Sequence, residues 1–374
     1  MKTTYKNEQL KRKFYAYLKG VKQFSVKTIR RYETAIWLWE DFTEKDFSSF
    51  SEIMAEEFTE WLRNKQKVNS QEKISLTYAY HILRYLKLFF EWLSFQKGYR
   101  KINPTAIEYL QLTKKETREA IEPKKIDCPT LDEVKKVVET IRGDTEIEMR
   151  DKALFSLALL TGARIEAIMS LTMKSFNRTE LVLYQNSRLD VRTKNSTPIT
   201  TALIPFFYRE ALDYFLNWYD YLLNQKKFTP ENPIFPMTKV ENGENNVSFY
   251  NTGKVEPVFM KSQTSIRKIF EKRFKNAGVA YYHPHIFRHF LVKEISKHPF
   301  TEEQKKAFSQ NFGHANTGTT FGSKGYGRID PDRQIEIIKN FDFEGLRKEV
   351  KQTLSDEDIN RIAKQVSQNL KNNT

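Results

Sequence analysis

Apolar residues at helical spacing, with no strand-like alternation, most constrain the fold over the first 110 or so residues of the chain. The first stripe carries Ile29, Tyr32 and Ile36 on one face of a helix. Serine, a good helix N-cap, precedes three of these stripes, at Ser25, Ser51 and Ser75. Aromatic residues within the stripes fit core packing between helices. The pattern predicts an all-helical N-terminal part.

A charged, proline-containing segment ends this pattern and predicts a domain boundary. Residues 113–128 form the expected linker, between a helical domain at 1–112 and a larger domain at 129–340. The remaining residues, 341–374, are expected to be a C-terminal tail with a short amphipathic helix. Its apolar positions lie at helical spacing: Ile359, Ile362, Val366 and Leu370. This helix has two alternative places to pack, the larger domain of its own chain or a neighbouring protomer.

The larger domain predicts helices around a small antiparallel β-sheet. Thr130 and Glu133 form a capping-box pattern at its first helix. Segments rich in Val, Leu, Ile and Thr predict short strands, at 181–185, 190–194 and 199–205. Residues 229–262 are polar, contain Pro and Gly, and predict a long irregular loop with at most one short hairpin. The fold class expected is mostly α with a small antiparallel β-sheet.

The charge balance favours a polyanionic partner. The chain has 62 Lys and Arg against 47 Asp and Glu, a formal net charge of +15 spread along its length. Nucleic acid is the commonest partner of such a protein, although a basic enzyme of unrelated function fits the charge as well. The exposed cations between the N-terminal stripes are suited to phosphates or simply to solvent.

Cysteine content and hydropathy narrow the compartment. Cys128 is the only cysteine, so no disulfide forms within the chain and no cysteine-based zinc cluster is expected. The N-terminus has no apolar signal core, and no run of 18 apolar residues exists. We therefore expect a cytoplasmic protein, associated with the nucleoid if it binds DNA, and no membrane partner.

Histidines are concentrated late in the chain, five of the six lying between positions 283 and 314. His285 and His289 have the i, i+4 spacing of a helical metal pair. No Glu lies between them in the manner of metalloprotease motifs, and no acidic cluster lies nearby to complete a ligand shell. The pattern favours a site without metal, and no cofactor is expected.

Four short motifs occur in an order and spacing that carry more information than any one of them. They are Leu160-Thr161-Gly162-Ala163-Arg164-Ile165, His285-Ile286-Phe287-Arg288-His289, Asn311-Phe312-Gly313-His314, and residues 319–327, TTFGSKGYG. Together they resemble the catalytic domain of the tyrosine recombinases, the phage-integrase type. In that family an Arg follows a TG turn, an HxxR motif and a GH follow, and a Tyr nucleophile comes soon after. The resemblance covers about residues 129–340, and the N-terminal part looks like the core-binding domain of the family.

The resemblance implies roles for six residues in cutting and rejoining DNA without metal or ATP. Arg164 and Arg288 would hold the non-bridging phosphate oxygens with bidentate hydrogen bonds, and His314 would donate a further one. His285 would help accept the proton of Tyr326, the nucleophile that forms a 3′-phosphotyrosyl intermediate. Lys194 matches by position the family's general acid to the leaving 5′-oxygen.

The chain departs from the family in three places. Tyr326 follows His314 by 12 positions rather than nine or ten, which indicates a small insertion at Lys324-Gly325. Ala167 stands where many members carry Glu, and Ser175 and Phe176 stand where many carry an acidic residue. These departures concern the groups that buttress the site.

The resemblance also implies partners, and it leaves alternatives of function. We expect double-stranded DNA, a homotetramer on two DNA sites, and accessory DNA-bending proteins, as for a mobile-element integrase. The alternatives are a non-catalytic DNA-binding protein derived from a recombinase and a type IB topoisomerase. A metal-dependent nuclease fits least, since the carboxylates are missing.

Overall fold

The fold was obtained as a computed structural model. It describes residues 5–122, 126–193, 197–205, 207–242, 249–314, 316–322, 325 and 327. The chain divides into two compact units, Met1–Lys124 and Lys125–Thr374. The division falls inside the predicted linker, and the finer bounds of the four predicted segments stay predictions. Among the described residues, no helix is both long and apolar enough to cross a membrane.

The N-terminal unit is helical throughout its described residues. Its helices are α1 (Tyr5–Gly20), α2 (Val26–Thr43), α3 (Glu52–Asn64), α4 (Leu76–Ser94), α5 (Pro104–Glu108) and α6 (Lys114–Ile121). Ser25, Ser51 and Ser75 cap α2, α3 and α4, each accepting a backbone N–H of the first turn. The predicted starts of these helices are confirmed.

Aromatic side chains fill the core of this unit. Phe14, Trp39, Phe58, Phe89 and Phe90 are almost entirely buried. Their rings meet edge to face or tilted, with centroids 5.1 Å apart for Phe14 and Phe89 and 4.9 Å apart for Trp39 and Phe90. Such geometry adds to the free energy gained from burying the rings. The stripes recognised in the sequence therefore serve the core.

Helix α6 lies within the segment predicted as a linker. Thr113 and Glu116 form a capping box that starts it. The helix packs on α4, where the Ala120 carbonyl accepts a hydrogen bond from Thr77 Oγ1 at 2.8 Å. The high charge of the segment concealed this helix, because a single buried residue, Ala120, is enough to dock it.

The C-terminal unit is mostly helical with two small antiparallel sheets. Its helices are α7 (Leu131–Thr140), α8 (Glu146–Thr161), α9 (Ile165–Ser170), α10 (Glu210–Asn224), α11 (Gln263–Asn276), α12 (Ile286–Ile295), α13 (Glu302–Asn311) and α14 (Thr317–Phe321). Its strands are β1 (Phe176–Asn177), β2 (Val182–Gln185), β3 (Ile199–Ala202), β4 (Pro236–Asn242) and β5 (Phe249–Phe259). The predicted fold class is confirmed.

Helix α8 is the centre of this unit, which explains its apolar sequence. It is buried on all sides, and Phe155 stacks on Phe270 of α11 with ring centroids 4.0 Å apart. Two charged residues at its start, Arg150 and Asp151, are also buried. Arg273 of α11 pairs with Asp151 at 2.8 Å, so that one carboxylate joins two guanidiniums.

The sheets follow the sequence only in part. Strands β1, β2 and β3 pair in that order, with Leu183 opposite Thr201. Residues 190–193 form no strand, so that part of the prediction is wrong. Instead, a 3-10 turn at Ser187–Leu189 precedes them. The Asn186 side chain caps its start, and Asp190 ends it with a left-handed φ of 62°.

The segment 229–262 is more regular than its composition suggests. Strands β4 and β5 pair antiparallel over most of its length. They form a long hairpin with β-bulges, where the sequence predicted an irregular loop with at most a short hairpin. Arg150 anchors it by donating from Nη1 to the Pro236 carbonyl and to Thr238 Oγ1, both at 3.0 Å. Glu146 accepts the Val255 N–H at 2.7 Å. Helix α8 thus holds the hairpin.

Candidate active site

The site begins where α8 ends. Gly162 takes the left-handed conformation (φ 57°) and caps the helix by donating its N–H to the Ala158 carbonyl at 2.9 Å. Arg164 follows as the N-cap of α9 and is half-buried. Among the described residues, its guanidinium makes no hydrogen bond or ion pair, and Glu166 instead accepts from Gln263 at 2.6 Å. Arg164 is therefore a cation held at a turn with its donors available.

Arg288 lies on the first turn of α12 and is 2% exposed. Its Nη1 donates to the Gly162 carbonyl at 2.9 Å, and its Nη2 donates to the Phe312 carbonyl. Its Nε and Nη2 lie 3.2 and 2.8 Å from His314 Nε2. One buried guanidinium thus joins three motifs that are far apart in the sequence.

His314 reaches Arg288 because α13 ends in a tight turn. Gly313 is left-handed (φ 64°), and the His314 N–H donates to the Ser309 carbonyl at 2.9 Å. A Cβ at Gly313 would come within 2.3 Å of Ile199 on β3. Only glycine fits this approach, and the turn directs His314 into the protein, where it is 6% exposed.

His285 is the N-cap of α12 and lies at the surface beside this cluster. Burial lowers its pKa to about 4, with further lowering from His289, Arg288, His283 and Arg164. Its ring lies 5.5 Å from that of His289, whose pKa burial also lowers to about 4. Both imidazoles are therefore neutral at physiological pH.

Two of the six predicted catalytic residues, Lys194 and Tyr326, lie outside the described residues. The nearest described neighbours of Tyr326 are tightly placed. Gly327 donates its N–H to the Thr320 carbonyl at 2.7 Å, and a Cβ there would lie 2.7 Å from Oγ of Ser296, the C-cap of α12. A Cβ at Gly325 would lie 2.6 Å from the carbonyl oxygens of Gly318 and Thr319. The glycines on both sides of Tyr326 therefore pack closely on α12 and α14.

The structure brings Arg164, His285, Arg288 and His314 together at the ends of α8, α12 and α13. The sequence reasoning missed the hydroxyl groups behind them. Thr320, inside one of the quoted motifs, lies 2.8 Å from His314 Nδ1 and donates to Ser309 Oγ. Burial of a threonine hydroxyl is a tertiary property that the motif alone does not indicate.

A further residue missed from the sequence is Asn311. Its side chain pairs with the backbone of Ala202 on β3, accepting the N–H at 2.7 Å and donating to the carbonyl at 3.1 Å. Thr201 Oγ1 adds a hydrogen bond to the Asn311 carbonyl at 2.9 Å. Helix α13, which leads to His314, is thereby fixed to the three-stranded sheet.

Within the described residues, no group of three His, Cys, Asp or Glu side chains is placed to hold a metal ion. The pair recognised in the sequence, His285 and His289, meets with rings perpendicular. His283, the third histidine considered there, stacks on His285 with centroids 6.3 Å apart. The polar character of the site is cationic, which suits an anionic ligand.

Comparison with known proteins bears on this arrangement. Residues 130–323, more than half of the 374 residues, match the model of the phage integrase family. A comparison with curated proteins finds no match.

Solved structures show the same fold at low identity. A lambda integrase dimer bound to a COC′ core site is 14% identical, with a TM-score of 0.55 over 87% of this chain and 96% of that one. The Tn1549 transposon integrase in complex with transposon right end DNA is 15% identical, with a TM-score of 0.54 over 88% and 98%. The XerH site-specific recombinase bound to difH substrate is 15% identical, with a TM-score of 0.54 over 89% and 84%.

Proposed function

The chain belongs to the phage integrase family of site-specific recombinases, and from this premise we propose that it cuts and rejoins DNA through a 3′-phosphotyrosyl intermediate at Tyr326. The observation that carries the proposal is the cationic cluster in which Arg288 joins the Gly162 carbonyl, two residues before Arg164, to His314. Arg164 and Arg288 lie at the starts of α9 and α12, close to the same histidine. Two such guanidiniums suit a phosphodiester, whose negative charge grows in the transition state.

The proposed reaction transfers a phosphoryl group from one oxygen to another. Tyr326 Oη attacks the phosphorus, and the bond to the 5′-oxygen breaks. Lys194 gives the leaving oxygen a proton, and His285, which is neutral, accepts the proton of Tyr326. The phosphotyrosyl bond conserves the energy of the phosphodiester, so a 5′-hydroxyl reverses the reaction without ATP or metal.

His314 takes a modified part in this proposal. Its Nε2 faces the donors of Arg288 and so accepts from them. A direct hydrogen bond from Nε2 to the phosphate would need a proton on the atom that now accepts. We therefore assign His314 first to orienting the Arg288 guanidinium.

Double-stranded DNA is the proposed substrate, as in the DNA complexes of the integrases and the XerH recombinase compared above. We propose a homotetramer on two DNA sites with accessory bending proteins, acting at the nucleoid. In the N-terminal unit, the exposed faces of α2 and α4 form a groove suited to DNA. Its lining combines one arginine with aromatic and polar side chains: Arg31, Thr34, Tyr78, His81, Ile82 and Tyr85.

A denaturing gel in EDTA tests the proposal. Labelled duplexes covering the DNA that flanks the protein's own gene, some carrying a nick that traps the intermediate, are mixed with wild type, Tyr326→Phe and Tyr281→Phe. Tyr281 is an exposed tyrosine of the same unit and serves as the matched control. We expect a protease-sensitive adduct with wild type and Tyr281→Phe, and none with Tyr326→Phe.

The other outcomes of this gel distinguish the alternatives. DNA binding without any adduct would favour the non-catalytic binder. An adduct formed by Tyr326→Phe would show that Tyr326 is not the nucleophile. An active enzyme that relaxes supercoiled DNA but never exchanges strands between two duplexes would be a topoisomerase. Recombinant products from two labelled duplexes would support the integrase.

A further inference from the structure

A continuous chain of buried polar side chains runs behind the proposed phosphate site. It leads from Arg288 to His314 Nε2 (2.8 Å), from His314 Nδ1 to Thr320 Oγ1 (2.8 Å) and from Thr320 Oγ1 to Ser309 Oγ (2.9 Å). Ser309 Oγ ends the chain by donating to the Asn316 carbonyl at 3.3 Å. The four side chains are at most 6% exposed.

The two ends of this chain fix the direction of every hydrogen bond in it. A guanidinium only donates, so His314 Nε2 accepts. A carbonyl only accepts, so the Ser309 hydroxyl is spent as a donor and accepts from Thr320. Thr320 Oγ1 then accepts from His314 Nδ1, which carries the ring proton.

We infer that Thr320 is a positioning residue that holds neutral His314 in the Nδ1–H tautomer and thereby orients Arg288 toward the phosphate. The inference rests on the function proposed above for Arg288 and His314. The opposite tautomer would place an N–H on Nε2 against the Arg288 donors at 2.8 and 3.2 Å. It would also leave the Thr320 hydroxyl facing a lone pair while its own proton points at Ser309.

Loss of the Thr320 hydroxyl therefore disturbs Arg288 in either tautomer. If Nδ1 keeps its proton, that buried proton loses the Thr320 oxygen that accepts it, which is unfavourable. If the proton moves to Nε2, the Nε2–H of His314 faces the N–H donors of Arg288, and Arg288 loses one of its acceptors. Ser309 supports this arrangement because its own hydroxyl proton is taken by the Asn316 carbonyl.

The experiment reads the tautomer directly in the full-length protein. Histidine labelled with ¹⁵N is incorporated, long-range ¹H–¹⁵N correlation spectra of the rings are recorded at neutral pH, and His314→Gln assigns the ring. Thr320→Val removes the hydroxyl at nearly constant volume, Thr320→Ser retains it, and Thr317→Val changes an exposed threonine of the same helix. Thr320→Ala replaces Thr320→Val if the latter does not fold.

We expect the His314 ring of wild type, Thr320→Ser and Thr317→Val to be protonated at Nδ1 alone, and this pattern to be lost in Thr320→Val. On the nicked duplexes, adduct formation by Thr320→Val should fall about 10–100-fold, as on losing a group that orients a functional histidine, while DNA affinity stays unchanged. Thr320→Ser should restore the rate.

An Nε2–H ring in wild type, or Thr320→Val with a wild-type rate of adduct formation, would overturn the inference. The spectra need no DNA, so they decide the tautomer even if wild type forms no adduct. In that case the proposed function fails while the inference about Thr320 and His314 is still judged by the spectra.

Discussion

Single residues set the geometry of the site mainly through backbone conformation. Gly162 is left-handed, and its carbonyl holds Arg288. A Cβ at Gly162 would lie 3.1 Å from Phe312 and 3.2 Å from Leu291. The same φ region is used by Gly278, where a Cβ would meet nothing within 4 Å.

This pair separates strain from packing. We expect Gly162→Ala to destabilise the protein by about 1–3 kcal/mol more than Gly278→Ala, because only the former adds overpacking to the left-handed strain. Denaturant unfolding of both variants measures the difference. Adduct formation should fall in Gly162→Ala alone, and equal effects of the two variants would contradict the role given to the contact with Phe312 and Leu291.

The paired histidines make stability depend on pH. The pKa values of His285 and His289 are lowered to about 4 in the fold from an ordinary 6.5, first by burial and then by neighbouring histidines and arginines. Between pH 6.5 and 4 the unfolded chain binds more protons than the folded one, so stability falls as the pH falls through this window. Above pH 6.5 the two residues contribute no pH dependence.

Urea unfolding at pH 7.5, 6.0 and 5.0 tests this dependence. The double variant His285→Gln/His289→Gln should lose less stability on acidification than wild type, and His298→Gln, an exposed histidine of the same unit, should behave as wild type. Because both rings are only partly buried, the difference will be modest. Parallel curves for wild type and the double variant would refute it.

Elements bring the motifs together, and the sequence predicted them unevenly. Helix starts were predictable, because Ser25 and Thr130 cap through local hydrogen bonds that depend on a few adjacent residues. The resemblance of the four motifs to the tyrosine recombinases implied a shared site, and Arg164, His285, Arg288 and His314 do lie close together, whereas Lys194 and Tyr326 stay predictions. The sequence allowed a short hairpin at 229–262, but the length and regularity of β4–β5 were not predictable, since Arg150 and Glu146 from α8, far away in the sequence, hold it. Hydrogen bonds to such distant partners leave no local pattern.

Asn311 is another residue whose distant hydrogen-bond partner could not be predicted from the sequence. Its amide occupies the edge of β3 as another strand would, with two hydrogen bonds to Ala202. Asn311→Asp replaces the donor Nδ2 with a carboxylate oxygen facing the Ala202 carbonyl. We expect it to destabilise the protein by about 1–3 kcal/mol, because a satisfied pair becomes a repulsive one.

Thermal or denaturant unfolding checks this, with Gln310→Glu as the control that adds a charge at an exposed neighbouring position. Asn311→Asp should also slow adduct formation, because this contact fixes the helix that leads to His314 on β3. Equal stability of the two variants would mean that the contact with β3 is dispensable.

At the scale of the whole molecule, charge governs binding rather than chemistry. The net charge of +15 predicts an affinity for DNA that falls steeply with salt, since each neutralised phosphate releases a counterion. Arg31 and Arg84 are exposed on α2 and α4. The pKa of His81 on α4 is lowered by partial burial and then by the charges of Arg84 and Arg31, so both cations lie near this histidine. The two helices therefore present one cationic face.

We expect the double variant Arg31→Ala/Arg84→Ala to bind duplex DNA more weakly and with a shallower salt dependence. The slope of log affinity against log salt should decrease by about 1–2, at roughly 0.9 for each lost phosphate contact. Arg178→Ala is the matched control, because Arg178 is exposed but paired with Asp220 at 3.1 Å. Fluorescence anisotropy with a labelled duplex between 50 and 200 mM salt, about the range over which such binding changes most, measures both slopes. Equal slopes for wild type and the double variant would place the DNA elsewhere on the protein. A decrease in slope confined to the double variant would show that the face of α2 and α4 contacts the phosphate backbone.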